Sequence, residues 1–151
     1  MHRIWPSSGN IRNGKHYFPI RVFYEDTDTL GIVYYANYLK FAERARTEML
    51  RVFGFQHRTV KEKLDYNLVV RKCYADYQKP ARLDDVLEVE TEILIVRGAS
   101  IEMCQKITKG NKTLVVMDIK LACISSSGNA ARLPESIRTG MLELRKTTGK
   151  G

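Results

Sequence analysis

The sequence contains few of the residues that build disulfide frameworks or metal sites. Only three cysteines and three histidines occur in 151 residues. The cysteines, Cys73, Cys104 and Cys123, are far apart, form no Cys-x-x-Cys pair and have no histidine near them. Disulfide-rich domains and zinc sites need paired or clustered cysteines. We therefore expect three buried structural thiols, no disulfide and no bound metal.

Long apolar runs are also missing. No run approaches the roughly 20 residues that span a bilayer, and the N-terminus, MHRIWPSS, lacks the apolar stretch of a secretory signal. With 44% hydrophobic and 28% charged residues, the composition is that of a globular protein. The length fits one domain with its own core. We expect a cytoplasmic protein without a transmembrane segment.

Acidic side chains are fewer than basic ones, 17 against 25, so the net charge is +8. This excess favours anionic partners, such as nucleic acid or a phosphate-rich cofactor like coenzyme A. The basic residues are scattered, apart from a modest C-terminal cluster that comprises Arg138, Arg145, Lys146 and Lys150. Because no aromatic–basic interleaving accompanies them, we do not expect nucleic-acid binding. A solvated basic surface accounts for most of them.

Periodicity predicts one long helix and about five strands. The β-branched and aromatic residues of His16–Glu25 indicate a first strand. Apolar residues then recur at spacings of three and four from Tyr38 to Val52, which predicts a helix, with Gly54 as its C-terminal cap. A shorter helical piece is predicted at 58–63.

Alternation with a period of two predicts four more strands, at 67–77, 86–96, 101–108 and 113–124. Short turns join the last three, so we expect antiparallel pairing. The apolar stripe of the helix needs the sheet as its partner. We expect an α+β domain at 15–141, in which the sheet curls around the helix, with a flexible leader at 1–14 and a basic tail at 142–151. The uncovered sheet edge favours a dimer that pairs edges.

Two aspartates, Asp26 and Asp28, lie in the predicted turn between the first strand and the helix. Amides in the first turn of a helix lack partners, and the helix dipole adds positive charge there, so they can stabilise an oxyanion. A carboxylate a few residues earlier can attack the same carbonyl or activate a water, and Gly31 permits close approach of a ligand. Alternatively, both aspartates form turns or cap the helix. A metal site is disfavoured, because Glu25 is the only other ligand nearby.

Other polar candidates have simpler interpretations. Glu43 and Glu48 lie on the helix among arginines, which indicates surface or interface ion pairs. His16 and His57 flank predicted elements and are interpreted as exposed loop residues. Taken alone, Arg97 is a turn residue on a hairpin.

The stretch from Tyr24 to Glu48 reads YEDTDTLGIVYYANYLKFAERARTE. It resembles the signature of hotdog-fold thioesterases and is similar to the Tol-Pal-associated acyl-CoA thioesterases, relatives of 4-hydroxybenzoyl-CoA thioesterase. Further matches follow in order at Val69–Arg71, Pro80–Asp85, Arg97–Ser100 and Arg132–Pro134. The likeness therefore covers about Phe18 to Met141.

This resemblance implies a hotdog fold, a curved antiparallel sheet wrapped around one long helix, and hydrolysis of acyl-CoA without a cofactor. It places the essential aspartate at Asp28, as the nucleophile that forms an acyl anhydride or as the base for water. It places the carbonyl-polarising backbone amide at Tyr35. Contacts to coenzyme A fall on Arg97, Ser100 and Arg132, where a fork of donors suits phosphate.

One position departs from part of the family. Many Tol-Pal-associated members carry histidine where this chain has Tyr35, whereas the hydroxybenzoyl-type relatives have tyrosine. The backbone amide could act with either side chain.

The sequence leaves several alternatives open. A non-catalytic module that binds an acyl thioester or acyl carrier protein would keep the basic patch without needing Asp28. We expect a homodimer or homotetramer, and an acyl carrier protein is an alternative thiol carrier to coenzyme A. The preferred acyl group is not set by the sequence.

Overall fold

The computed structural model describes residues 4–54 and 66–148, with side chains up to Arg145. Within these ranges the elements are β1 (Asn10–Arg12), β2 (Lys15–Arg21), α1 (Asn37–Val52), β3 (Asn67–Tyr77), β4 (Val86–Val96), β5 (Ser100–Lys109), β6 (Lys112–Ile124) and α2 (Glu135–Thr148). A single 3-10 turn, Tyr24–Asp26, follows β2. The predicted helical piece at 58–63 and His57 lie outside the described residues.

The described strands form one antiparallel sheet in the order β1-β2-β4-β5-β6-β3. The predicted class, an α+β domain with an antiparallel sheet and a long helix, is confirmed. The first strand ends at Arg21 rather than Glu25, because the chain turns away into the 3-10 turn. Two elements were not predicted. β1 has only three residues, and it pairs with β2 inside the segment interpreted as a leader.

The second unpredicted element is α2, which runs to Thr148 and so includes part of the segment interpreted as a tail. Ile137, Met141 and Leu144 are buried at helical spacing, a signal that the sequence already contained. Gly140 allows α2 to approach the end of α1, since a Cβ at this position would lie 2.9 Å from the Phe53 ring.

The core lies between the helices and one face of the sheet. The buried stripe of α1 consists of Tyr38, Phe41, Ala42, Ala45, Met49 and Leu50. It packs against β2, β4 and β5, whose inward residues alternate with outward polar ones. None of the helices in the described ranges has the length and apolar character needed to cross a bilayer.

Strand β3 forms one edge of the sheet and remains largely exposed along its length. Cys73 lies on this strand and is exposed, so its prediction as a buried thiol is wrong. Cys123 is buried and Cys104 is half-buried, and all three are free thiols. The alternation of apolar and polar residues correctly predicted that Cys73 lies in a strand. Cys73 is exposed because that strand, β3, lies at the edge of the sheet.

His16 is fully buried in β2, so its interpretation as an exposed loop residue is wrong. Its Nε2 lies 2.7 Å from the Ser8 carbonyl oxygen and donates to it, while its Nδ1 has no hydrogen-bond partner in the described part of the chain. Burial lowers the pKa of His16 below its ordinary value of 6.5, although the Ser8 hydrogen bond and the charge of Glu48 oppose this shift.

Because His16 is buried, we expect the protein to become less stable in acid. Because the folded protein binds the proton less readily than the unfolded chain, the free energy of unfolding should fall as the pH drops below 6.5. The slope should be at most about 1.4 kcal/mol per pH unit, and it should level off below the lowered pKa. Urea unfolding at about pH 7.5 and pH 5.5 measures this change in the free energy of unfolding. The His16→Gln variant, which keeps a donor, should have a smaller slope, and equal slopes would contradict this prediction.

Candidate active site

The segment after the 3-10 turn folds back on itself as a narrow hairpin. Thr27 and Val33 face each other as an antiparallel bridge, and the Asp28 N–H donates to the Ile32 carbonyl at 2.9 Å. Gly31 sits at the turn with φ +74°, a conformation that side chains other than glycine rarely adopt. Its N–H donates to the Asp28 carbonyl at 3.0 Å. This hairpin carries the aspartate that the resemblance marked.

The structure assigns different roles to Asp26 and Asp28, which local sequence reasoning could not tell apart. Asp26 is buried, and its Oδ2 accepts the Phe23 N–H at 2.8 Å. Its carbonyl accepts the Tyr34 N–H at 3.0 Å and the Asn37 side-chain amide at 2.9 Å. Asp26 therefore fixes the loop against the start of α1. Sequence reasoning missed the part that Asn37 plays here, because only the folded loop brings its amide to Asp26.

Asp28 is exposed, and its Oδ1 accepts the Leu30 N–H at 2.8 Å. This is an Asx turn, the structural role that the sequence offered as the alternative. Only one carboxylate oxygen takes part in it. The other oxygen accepts no hydrogen bond from a described residue.

Helix α1 begins without a side-chain cap, since Ala36 occupies the cap position. Its first amides turn back on nearby carbonyls: the Asn37 N–H donates to Tyr34 at 2.8 Å and the Tyr38 N–H to Tyr35 at 3.3 Å. The N–H groups of Tyr35 and Ala36 donate to no acceptor among residues 4–54 and 66–148. Unpaired amides at a helix start attract an electron-rich oxygen.

Tyr38 links the helix to the hairpin. It is buried, and its Oη accepts the Ala81 N–H at 2.9 Å, while the Ala81 carbonyl accepts the Val33 N–H at 2.9 Å. Burial raises the pKa of Tyr38, so the phenol stays neutral. The helix, the 81–82 segment and the hairpin are thereby held in one arrangement.

Removing this hydroxyl should loosen the arrangement. The Tyr38→Phe variant leaves the buried Ala81 N–H without an acceptor, which should lower the free energy of unfolding by about 1 to 3 kcal/mol. Native-state hydrogen exchange should be faster at Ala81 and Val33. Tyr77→Phe is the matched control, because the Tyr77 ring is exposed and its hydroxyl bonds no described residue. If Tyr38→Phe and Tyr77→Phe lowered the free energy of unfolding equally, the hydrogen bond between Tyr38 and Ala81 would have no special role.

Tyrosine rings surround the helix start. The Tyr35 ring lies 4.9 Å from the Tyr34 ring and 5.9 Å from the Tyr77 ring, the latter edge-on. Tyr77 ends β3 and also lies 5.8 Å from the Tyr38 ring. A hydrogen bond with Tyr35 raises the pKa of Tyr34, and the partial desolvation of the exposed Tyr77 raises the pKa of its phenol. The unpaired amide of Tyr35 therefore lies next to the exposed sheet edge.

The candidate coenzyme A residues gather around the turn between β4 and β5. The Arg97 N–H donates to the Ser100 carbonyl at 2.8 Å, and the Leu133 N–H, next to Arg132, donates to the Gly98 carbonyl at 2.8 Å. The Arg97 guanidinium pairs with Glu102 and lowers the pKa of that carboxyl. Arg138 donates to the Arg97 carbonyl at 3.2 Å. The last contact brings one arginine of the C-terminal cluster to this turn, a proximity that spacing alone did not reveal.

A single subunit keeps the two groups of candidates apart. The hairpin that carries Asp28 pairs with the segment just before β4, where Ile32 and Arg82 form an antiparallel β-bridge. Arg97 follows the other end of β4, and this strand has 11 residues. At about 3.3 Å per residue the two ends are about 35 Å apart. The structure thus places Asp28 on the hairpin that leads to Tyr35, and it gathers Arg97, Ser100 and Arg132 around one turn. It does not bring these two groups together within one subunit.

The described residues contain no group of three or more His, Cys, Asp or Glu side chains arranged to hold a metal ion.

Comparison with known families connects this geometry to a function. The model of the thioesterase-like superfamily matches residues 22–140, which include the hairpin, α1, the whole β3–β6 region and the start of α2. The chain belongs to the thioesterase-like superfamily. The resemblance drawn from the sequence is confirmed.

Individual relatives of this thioesterase-like chain agree. It is 46% identical over 107 residues to the acyl-CoA thioesterase YbgC of Haemophilus influenzae, covering 71% of this chain and 79% of that protein. It is 45% identical over 123 residues to the acyl-CoA thioester hydrolase YbgC of Escherichia coli O6:H1, covering 80% and 90%. Among solved structures, a probable thioesterase from Bartonella henselae superposes with a TM-score of 0.77 at 36% identity, covering 80% and 99%. The predicted enzyme class, a thioester hydrolase, is confirmed.

Proposed function

We propose that this thioesterase-like chain hydrolyses acyl-CoA to the free acid and coenzyme A. Asp28 supplies the carboxylate, as nucleophile or as general base, and the backbone amide of Tyr35 polarises the thioester carbonyl. The observation that carries the proposal is an exposed carboxylate, with one oxygen not bonded to any described residue, on the hairpin that leads into an uncapped helix start. The relatives named as acyl-CoA thioesterases support coenzyme A as the thiol carrier.

The proposed chemistry follows from charge. The Tyr35 N–H, backed by the dipole of α1, stabilises the negative charge that develops on the carbonyl oxygen. If Asp28 attacks the carbonyl carbon, the thiolate of coenzyme A leaves and an acyl anhydride forms, which water then cleaves. If Asp28 acts as a base, it takes a proton from water as the water attacks. Both routes need the unprotonated carboxylate.

We further propose that the working enzyme contains at least two subunits. β3 is an exposed edge, and the Tyr35 and Tyr77 rings meet at one end of it. The turn of Arg97 and Ser100 lies toward the other end, where Asn67 pairs with Ile124. Antiparallel pairing of two copies of β3 would place opposite ends side by side, so that the partner subunit's Arg97, Ser100 and Arg132 approach the hairpin of Asp28.

The test of the function is release of free thiol from a panel of acyl-CoAs, followed with a thiol reagent. If the protein is a hydrolase, the rate of thiol release should be proportional to the protein concentration. The non-catalytic alternative, a module that binds an acyl thioester or acyl carrier protein, would bind the panel without releasing thiol. No cofactor is added in this assay, in line with the expectation that none is used. The cytoplasmic location remains a prediction.

A further inference from the structure

A line of buried polar side chains crosses the core at the middle of the sheet. His16 on β2, Thr91 on β4 and Gln105 on β5 are all fully buried. They are cross-strand neighbours, since His16 pairs with Thr91 and Thr91 pairs with Gln105 in the register of the sheet. Polar groups lose free energy when they leave water, unless new hydrogen bonds compensate. Packing alone therefore does not explain why polar side chains occupy these positions.

The amide of Gln105 joins α1 to the sheet. Its Nε2 donates to the Ala42 carbonyl of α1 at 3.1 Å and to Thr91 Oγ1 at 3.0 Å. Its Oε1 accepts a hydrogen bond from Arg46 Nη1, which also belongs to α1, at 3.0 Å. Both hydrogens of the amide group and its oxygen are thus bonded, and the reversed amide would set its oxygen against the Ala42 carbonyl. The direction of the Gln105 amide is therefore fixed.

These bonds attach the middle of α1 to the interior of the sheet. β5 pairs with β4 on one side and with β6 on the other. By contrast, the Tyr38 hydroxyl attaches the start of α1 to Ala81, which lies in the connection between β3 and β4. Apolar contacts alone leave the arrangement of packed elements less unique, whereas one buried polar group can fix their alignment at some cost in stability.

We propose that Gln105 is a positioning residue for thioester hydrolysis, which fixes α1 on the sheet and thereby places the Tyr35 amide relative to Asp28. This inference rests on the proposed function. Ala42 lies seven residues after Tyr35, which is about 10 Å along a helix at 1.5 Å per residue. Because a helix moves as a rod over this distance, a shift at Ala42 also displaces the amide that faces the thioester carbonyl.

The test removes the buried bonds without removing volume. The double variant Thr91→Val with Gln105→Met replaces both partners of one buried bond by apolar groups of similar size, a change that can be nearly neutral for stability. We expect urea unfolding close to that of the unchanged chain, but kcat for acyl-CoA lower by about 10- to 100-fold, because a small misplacement of a catalytic group is costly. KM should change little, since the proposed coenzyme A contacts lie on the turn between β4 and β5 and not on α1.

Met117→Leu is the matched control. Met117 is the fully buried neighbour of Gln105 on β6, and this substitution changes packing without changing a hydrogen bond. It should keep kcat. If it lowered kcat as much as the double variant does, the reaction would depend on core packing in general, and the inference would be wrong.

A second measurement needs no substrate. In chains that contain isotope-labelled tyrosine, the Tyr35 amide gives one NMR signal, identified by its loss in Tyr35→Phe. This signal should move in the double variant and stay in place in Met117→Leu. An unmoved signal in a folded double variant would overturn the inference.

A milder pair of variants applies if the double variant does not fold. Thr91→Val alone removes one partner of Gln105 and should lower kcat, whereas Thr91→Ser keeps the hydroxyl oxygen and should retain it. Equal kcat in this pair would then overturn the inference. Failure of the proposed function looks different, because the unchanged chain would then release no thiol from acyl-CoA. An active unchanged chain together with an equally active, folded double variant would refute the role of Gln105 alone.

Discussion

Replacing Asp28 with asparagine is expected to lower the rate of acyl-CoA hydrolysis by about 100- to 10,000-fold, the range that a positioned acid or base contributes. The amide oxygen of asparagine can still accept the Leu30 N–H that Asp28 Oδ1 accepts at 2.8 Å. The hairpin should therefore keep its shape. What is lost is the negative charge, and a neutral amide can neither attack a thioester nor take a proton from water. Thiol release and circular dichroism measure the two consequences separately.

Asp26→Asn is the matched control for this prediction. It makes the same chemical change two residues away, at a carboxylate that is buried and bonded to the Phe23 N–H. Its asparagine can also keep that bond, so most activity should remain. Retained activity in a folded Asp28→Asn chain would remove Asp28 from the mechanism. Equal losses in both variants would mean that the hairpin, and not the Asp28 charge, is what the reaction needs.

Replacing Arg97 with alanine is expected to raise KM for coenzyme A esters by about 10- to 100-fold, the effect of losing one or two charged hydrogen bonds to phosphate. A truncated thioester that lacks the nucleotide should be hydrolysed as before. Glu102→Gln is the control, because it releases Arg97 from the ion pair between them and leaves the guanidinium in place. That variant should keep or lower KM. An equal effect of Arg97→Ala on both substrates would exclude phosphate binding.

A mixing experiment separates a site within one subunit from a site shared by two. Chains with Asp28→Asn and chains with Arg97→Ala are assayed alone, then unfolded together and refolded, at a substrate concentration well below KM. If each site takes Asp28 from one subunit and Arg97 from the other, a mixed dimer has one intact site, and activity should rise above that of either variant alone. If one subunit supplies both residues, mixing should restore nothing.

Much of the fold could be predicted because its signals are local. The long helix was predicted from Tyr38 to Val52, and it extends over Asn37–Val52. β3 and β4 have the predicted bounds, β5 is one residue longer than predicted at each end, and β6 is one residue longer at its start. Period-two and period-3.6 patterns of apolar residues record which face each element buries. β1 lacked such a pattern, since its three residues are all exposed, and it forms only because β2 is there to pair with.

The candidate site was predictable in part. Local chemistry pointed to a carboxylate ahead of a helix start, and the resemblance singled out Asp28. The sequence could not distinguish the roles of Asp26 and Asp28, because burial and hydrogen bonding to Phe23, Tyr34 and Asn37 depend on how the loop folds against α1. It missed Tyr38 as the link to Ala81, since the two residues are 43 positions apart.

The sequence by itself determined the class of fold, the family and the residue types available for catalysis, because periodicity and motif spacing are properties of neighbouring positions. Only the tertiary structure decided that His16 is buried and that Cys73 is exposed on an edge strand. Only the tertiary structure separated Asp28 from Arg97 by the length of β4. These are consequences of which strands lie at the centre of the sheet and which lie at its edge, and that order is set by long-range pairing.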